Sequence, residues 1–176
     1  VTIGEVEVGS DPDTAAVDLF QDDFDTFFER HHDEMVRALT LALGDADLGR
    51  DAAAEGFARA LQRWSSVSGH SNRAGWVYRV GLNWARSRFR KTRRERFGLL
   101  VDVEAWLPTP SDQELVQALR QLSLDHRTVV VGRYYLDWSE AQLAESLGIA
   151  PGTVKSRLSR ALAHLTELME QPDDRT

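Results

Sequence analysis

"SEAQLAESLGIAPGTVKSRLSRAL", residues 139–162, decides the fold. Ser139 followed three residues later by Gln142 has the spacing of a capping box, in which a hydroxyl and an amide each satisfy a backbone N–H at a helix start. Leu143 and Leu147 supply the apolar stripe of that helix, and Gly148 suits the left-handed position that ends it. Pro151 fits the first turn of a second helix, where its missing N–H would have had no partner anyway. A short helix, a tight turn and a longer helix form the helix-turn-helix pattern.

On the second helix Val154, Leu158, Ala161, Leu162 and Leu165 share one face, and Lys155, Ser156, Ser159 and Arg160 project elsewhere, with Arg157 on the flank. A recognition helix needs this division, because one side packs while the N-terminal part of the other enters the major groove. Arginine can pair bidentately with guanine, serine adapts to several bases and lysine suits phosphate. The same spacing also fits a helix of an ordinary bundle with its polar side in solvent.

Working outward, helical periods dominate. "FDTFFERHHDEMVRALTLAL" sets Phe24, Phe27, Phe28, Met35, Leu39 and Leu43 at spacings of three and four. A second helix is expected from about Asp47 to Trp64, striped by Leu48, Phe57, Ala60 and Leu61, and a polar loop, "SSVSGHSN", follows it. A third helix should begin near Arg73. Two prolines in "GLLVDVEAWLPTPSDQ" interrupt the pattern. The expected architecture is all-α, two small helical domains over 19–97 and 112–171 joined by a linker at 98–111. Residues 1–18 offer few apolar groups and are expected to be poorly ordered.

The net charge of -7 conceals a polarised distribution. Residues 1–70 carry 5 basic and 15 acidic side chains, whereas residues 71–98 carry 9 basic and 1 acidic. A polyanion would meet a basic stripe on an otherwise repelling surface. Within that stripe Trp76, Tyr78, Trp84 and Phe89 interleave with arginines, a combination suited to single-stranded DNA, whose bases stack on aromatic faces. Core packing competes for these residues. Trp76 and Val80 are expected inside, and Arg79, Arg86, Arg88, Arg90 and Lys91 outside.

Several classes fall away. There are 0 cysteines, so disulfides and thiolate zinc sites are excluded. No apolar run approaches a membrane span, no secretory signal is visible, and mean hydropathy is -0.38, so a cytoplasmic protein without membrane insertion is expected. His31 and His32 are adjacent and diverge on a helix, unlike an i, i+4 metal pair. No phosphate loop, nucleophile elbow or dinucleotide turn is present, so neither enzyme activity nor a cofactor or metal is expected.

The stretch from Leu119 to Leu165, above all "GTVKSRLSRAL", resembles region 4 of bacterial extracytoplasmic-function (ECF) RNA polymerase sigma factors. The resemblance implies recognition of the duplex upstream (−35) promoter element. Ser156, Ser159 and Arg160 would touch base edges, and Thr153, Lys155 and Arg157 mainly phosphates. Ala150 stands where a helix-capping serine is common.

"NRAGWVYRVGLNWARSRFRKTRRER" is similar to regions 2.3 and 2.4 of the same family. By that likeness Asn83, Trp84, Arg86, Ser87 and Arg90 would serve the melted downstream (−10) element, and "SGHSNRA" would cradle a base flipped from the stack. "GRDAAAEGFARAL" matches the family's polymerase-binding helix at Asp51, Glu55, Phe57, Arg59 and Ala60. Ala54 replaces the glutamine that engages the polymerase clamp helices. Asp51, Ala54 and Glu55 are therefore the candidate polymerase contacts. The implied partners are RNA polymerase core, promoter DNA and an anti-sigma factor. Two alternatives stand beside this reading: a free-standing helix-turn-helix regulator, and a sigma-like interaction protein with weakened core binding.

Overall fold

Helices form where apolar residues recur every three or four positions. The computed structural model describes residues 12–92 and 110–170. It contains α1 (Pro12–Leu43), α2 (Ala46–Gln62), α3 (Trp64–Val67), α4 (Arg73–Thr92), α5 (Pro110–Gln121), α6 (Leu124–Val130), α7 (Glu140–Leu147) and α8 (Pro151–Glu170). A π-helical turn, Val131–Tyr135, continues α6. No strand occurs among the described residues, and the helices form two domains, α1–α4 and α5–α8. Helix α1 takes in residues 12–18 of the segment expected to be poorly ordered. Residues 1–11, and the linker apart from the start of α5 at Pro110, lie outside the described residues.

The N-terminal domain is built around α2. Its Asp45 cap accepts from the Leu48 N–H at 2.9 Å. Small residues then bring the neighbouring helices unusually close. Gly49, Ala52, Ala53, Gly56, Phe57 and Ala60 are all buried. A Cβ at Gly49 would stand 2.6 Å from Thr40 Cα of α1, and one at Gly56 would stand 2.9 Å from the Val77 carbonyl oxygen of α4. From the other side, a Cβ at Gly81 would stand 2.7 Å from the Ala52 carbonyl oxygen. Ala52, Ala53 and Gly56 are what this packing requires.

Around α2, Met35, Leu39, Val77 and Leu82 are essentially inaccessible. Burial of each such side chain contributes about 1.5–3 kcal/mol. An aromatic cluster closes one end: Phe24 meets Trp64 edge-on at 5.2 Å, and Phe27 meets Phe57 at 5.8 Å.

Several sequence expectations need correction. The segment after Trp64 is partly helical, because Trp64 and Val67 bury against the core and hold a turn of α3. Leu61 is exposed, and the buried stripe of α2 runs instead through the small residues. On α4 the buried positions are Val77, Tyr78, Leu82 and Ala85, while Trp76 and Val80 are half-buried. The core face is therefore rotated by about one residue.

In the C-terminal domain α8 packs Val154, Leu158, Ala161 and Leu165 against α6 and α7. Leu162 is exposed, since the inward stripe is narrower than expected. At the π turn the Leu136 N–H reaches back to the Val131 carbonyl at 3.1 Å. The widened turn leaves Tyr134 and Tyr135 at the surface.

The two domains share an interface made by α4 with α7 and by α1 with α6 and the π turn. Tyr78 is fully buried there; its hydroxyl donates to the Thr128 carbonyl at 3.2 Å and Trp138 lies edge-on to its ring at 5.5 Å. Burial raises the Tyr78 phenol well above its ordinary value, with Arg86 and Arg127 opposing that shift weakly. Tyr78 is thus an interface residue, and its ring is closed to a stacked base.

Candidate nucleic-acid interface

The helix-turn-helix forms by the local chemistry its sequence implies. Ser139 Oγ accepts from the Gln142 N–H at 3.2 Å, and Gln142 Oε1 accepts from the Ser139 N–H at 2.9 Å. Gly148 takes the left-handed conformation at φ 65, and the Ile149 N–H closes the helix end on the Ala144 carbonyl at 3.1 Å. Helix α8 then starts from the Ala150 carbonyl, which accepts from Thr153 and Val154 N–H groups. No side chain at position 150 can add to that cap.

Lys155, Ser159 and Arg160 are exposed on the outer face of α8. Thr153 and Ser156 are half-buried, and the Ser156 hydroxyl donates to the Thr153 carbonyl at 3.1 Å. Arg157 behaves differently: its guanidinium donates to Asp125 Oδ2 at 2.6 Å. That carboxylate belongs to the first turn of α6.

On α4, Asn83 and Ser87 are exposed, and the Ser87 hydroxyl donates to the Asn83 carbonyl at 3.0 Å. Trp84 is half-buried, with the Arg88 guanidinium 5.1 Å from its ring centre. Arg86 is half-buried rather than free, because it donates to Asp125 Oδ1 at 2.8 Å. The Arg90 side chain lies outside the described ones. Ahead of α4, Asn72 Oδ1 accepts from the Gly75 N–H at 2.7 Å while its amide donates to Ser146 Oγ at 3.1 Å. Ser71 donates to Glu145 at 2.9 Å. A cleft of about 410 Å³ opens beside this loop, walled by Phe27, Arg30 and Arg73 and closed by Leu136 and Trp138.

The candidate polymerase contacts occupy the opposite face of α2 from its small residues. Asp51 and Ala54 are exposed, and Glu55 is half-buried in an ion pair with Arg59 at 2.7 Å. Asp51 and Ala54 line a groove of about 920 Å³ shared with Val36, Arg37 and Tyr135. Burial raises the Tyr135 phenol above its usual value, and a hydrogen bond with Arg37 counters part of that shift. His31 and His32 pack on Phe27 and Phe28, and no three His, Cys, Asp or Glu side chains among the described residues converge on a metal position.

Sequence reasoning missed Asp125, Glu145 and Ser146. "SLDHR" signals only a capped helix start, with an acid suited to the helix dipole. Nothing local marks Asp125 as the partner of arginines 39 and 32 residues away.

Comparison with known proteins agrees with this arrangement. A family model for sigma-70, region 4 matches residues 112–165. The ECF RNA polymerase sigma factor SigL of Mycobacterium tuberculosis is 31% identical over 157 residues, covering 82% of this chain and 87% of its own. SigM of the same species is 29% identical over 150 residues, covering 83% and 76%. Among solved structures, the sigma factor RpoE of Bartonella quintana, crystallised with the anti-sigma factor NepR, shares the fold with a TM-score of 0.71. Its sequence is 24% identical, with 87% of this chain and 99% of that one covered. With two helical domains, a region 4 helix-turn-helix and this relationship to SigL along most of its length, the chain belongs to the ECF RNA polymerase sigma factors.

Proposed function

We propose that this sigma factor joins RNA polymerase core in the cytoplasm and acts as a specificity subunit rather than an enzyme. Arg160, Ser159 and Ser156 read base edges of the duplex −35 element, while Thr153, Lys155 and Arg157 hold its phosphates. Asn83, Trp84, Arg86, Ser87 and Arg90 take the melted −10 strand. Asp51, Ala54 and Glu55 face the polymerase. The observation that carries this reading is the outer face of α8, where Lys155, Ser159 and Arg160 stand exposed on a correctly capped helix-turn-helix. An anti-sigma partner is part of the proposal, by analogy with the RpoE–NepR pair.

Run-off transcription with purified core polymerase over a randomised promoter library tests the reading. A defined pair of elements should be selected. Arg160→Ala should lower transcription by roughly 10-fold or more at promoters carrying the contacted base, as loss of a bidentate base contact does, while leaving assembly with core intact. Equal loss on every upstream sequence would refute base reading by Arg160. Ala54 favours one second reading, a sigma-like protein with weakened core binding. That protein would form no stable complex with core and start no transcripts.

A further inference from the structure

Arg157 stands apart from its neighbours on α8. Lys155, Ser159 and Arg160 are exposed, whereas the Arg157 side chain is only 26% exposed and donates to Asp125 Oδ2 at 2.6 Å. Asp125 lies in the first turn of α6, so this bond is made wholly within the C-terminal domain and travels with it. The other oxygen, Oδ1, accepts from Arg86 of the N-terminal domain, a separate contact.

Packing fixes both ends of the Arg157 bond. Ser123 Oγ accepts from the His126 N–H at 3.3 Å and caps α6 just ahead of Asp125. Thr128, Val129 and Val130 of α6 and Val154, Leu158 and Ala161 of α8 are buried, and the two helices pack together. Asp125 and Arg157 are thus carried by rigid elements whose spacing the core sets, as precise positioning of a side chain requires.

Position 157 is at the edge of α8. The buried Leu158 follows it, and Thr153, another proposed phosphate contact, lies one turn earlier on the same edge. A long arginine side chain at such an edge can lie along the domain or swing into solvent. Fixing it on a phosphate costs rotamer freedom, and fixing it beforehand removes that cost from the binding step. The bond to Asp125 engages one guanidinium N–H, and the planar fork has further donors for an anion.

We infer that Asp125 is a positioning residue for −35 recognition: by holding one N–H of Arg157, it sets the guanidinium in the orientation that offers the others to a DNA phosphate. The inference rests on the proposed phosphate contact of Arg157 and deepens it. A carboxylate beside DNA also repels it, and the two effects have opposite signs. A carboxylate acting only as a negative charge near the promoter would, once removed, let the DNA bind more tightly. Removing one that orients Arg157 weakens binding, because the released guanidinium loses its phosphate contact.

The test uses holoenzyme assembled from the full chain and purified core polymerase, bound to a promoter fragment at equilibrium over a range of salt concentrations. Asp125→Ala should weaken binding by about three- to tenfold, the worth of one hydrogen bond. The plot of log affinity against log salt should also become shallower by about 0.9, the mark of one lost phosphate contact. A mere loss of fold stability does not move that slope. Arg157→Ala should have the same two effects, and the double variant should lose no more than Arg157→Ala alone. Asp125→Glu, which keeps a carboxylate within reach of a flexible arginine, should recover most of the lost affinity.

An Asp125→Ala holoenzyme that binds as tightly as wild type or more tightly would overturn the positioning role. So would a loss from Asp125→Ala that persists in full beside Arg157→Ala. Failure of the sigma reading shows at an earlier step, before DNA is added: a wild-type chain that forms no complex with core would overturn that reading and the −35 role of Asp125 with it.

Discussion

Replacing Gly56 by alanine should destabilise the protein, although it strengthens a helix. In an exposed helix interior glycine to alanine gains roughly 0.5–1 kcal/mol. Gly56, however, is buried where α2 crosses α4, and a Cβ there would stand 2.9 Å from both Val77 Cγ1 and the Val77 carbonyl oxygen. Favourable carbon contacts begin near about 3.5 Å. Val77 can adjust its side chain but not its backbone carbonyl without moving α4, and overpacking of this kind costs about 1–3 kcal/mol. The net expectation is a loss of about 1–2 kcal/mol, or roughly 3–6 °C in Tm for a chain of this length. Gly152 is the matched control: it is exposed in the first turn of α8, and a Cβ there would meet nothing within 4 Å. Gly152→Ala should gain roughly 0.5–1 kcal/mol. Thermal melts and urea midpoints of both variants followed by circular dichroism decide the matter. A Gly56→Ala protein more stable than wild type would refute the close-packing argument.

Ala150→Ser should raise Tm by roughly 2–4 °C in the same melts, since a hydroxyl at the α8 cap adds about 1 kcal/mol. High pH should expose the Tyr78 phenol: its folded pKa is raised by burial, so the stability it confers is intact below the unfolded value of 10.0 and drains away as pH climbs above it. Urea midpoints should fall above that pH in wild type and fall less steeply in Tyr78→Phe. Ala54→Gln should strengthen binding to polymerase core by roughly two- to tenfold, the worth of one added hydrogen bond, when competed against wild type. Unchanged competition would remove position 54 from the interface.

The legible parts of the sequence were those governed by short-range rules. Ser139, Gln142, Gly148 and Pro151 act through neighbours within four residues, and each occupies the role its type implies. The face of α4 was harder, because Trp76, Val77, Tyr78 and Val80 offer competing apolar stripes. Which of them is buried depends on α2 and on the second domain. Tyr78 turns inward because Thr128 and Trp138, both in the other domain, complete its surroundings. The residues of α2 divide in the same way. Gly49, Ala52, Ala53 and Gly56 face neighbouring helices, whereas Ala54 faces outward. Of these small residues, only Ala54 is therefore placed to meet a partner. A single helix string mixes both kinds of change, and only the three-dimensional partition separates them.

Asp125 is the residue no local rule could have assigned, and it changes how the acidic composition is understood. A chain with net charge -7 repels DNA in general. That repulsion is diffuse and screened beyond about 8–10 Å at physiological salt. A carboxylate in hydrogen-bonding contact with Arg86 and Arg157 acts on those two guanidinium groups directly, at a range where screening is weak. On the proposed function, polymerase binding supplies what the free chain lacks. It holds the two proposed DNA surfaces at promoter spacing, which makes the second DNA contact intramolecular. The same pair of modest grips is consequently weak alone and strong together.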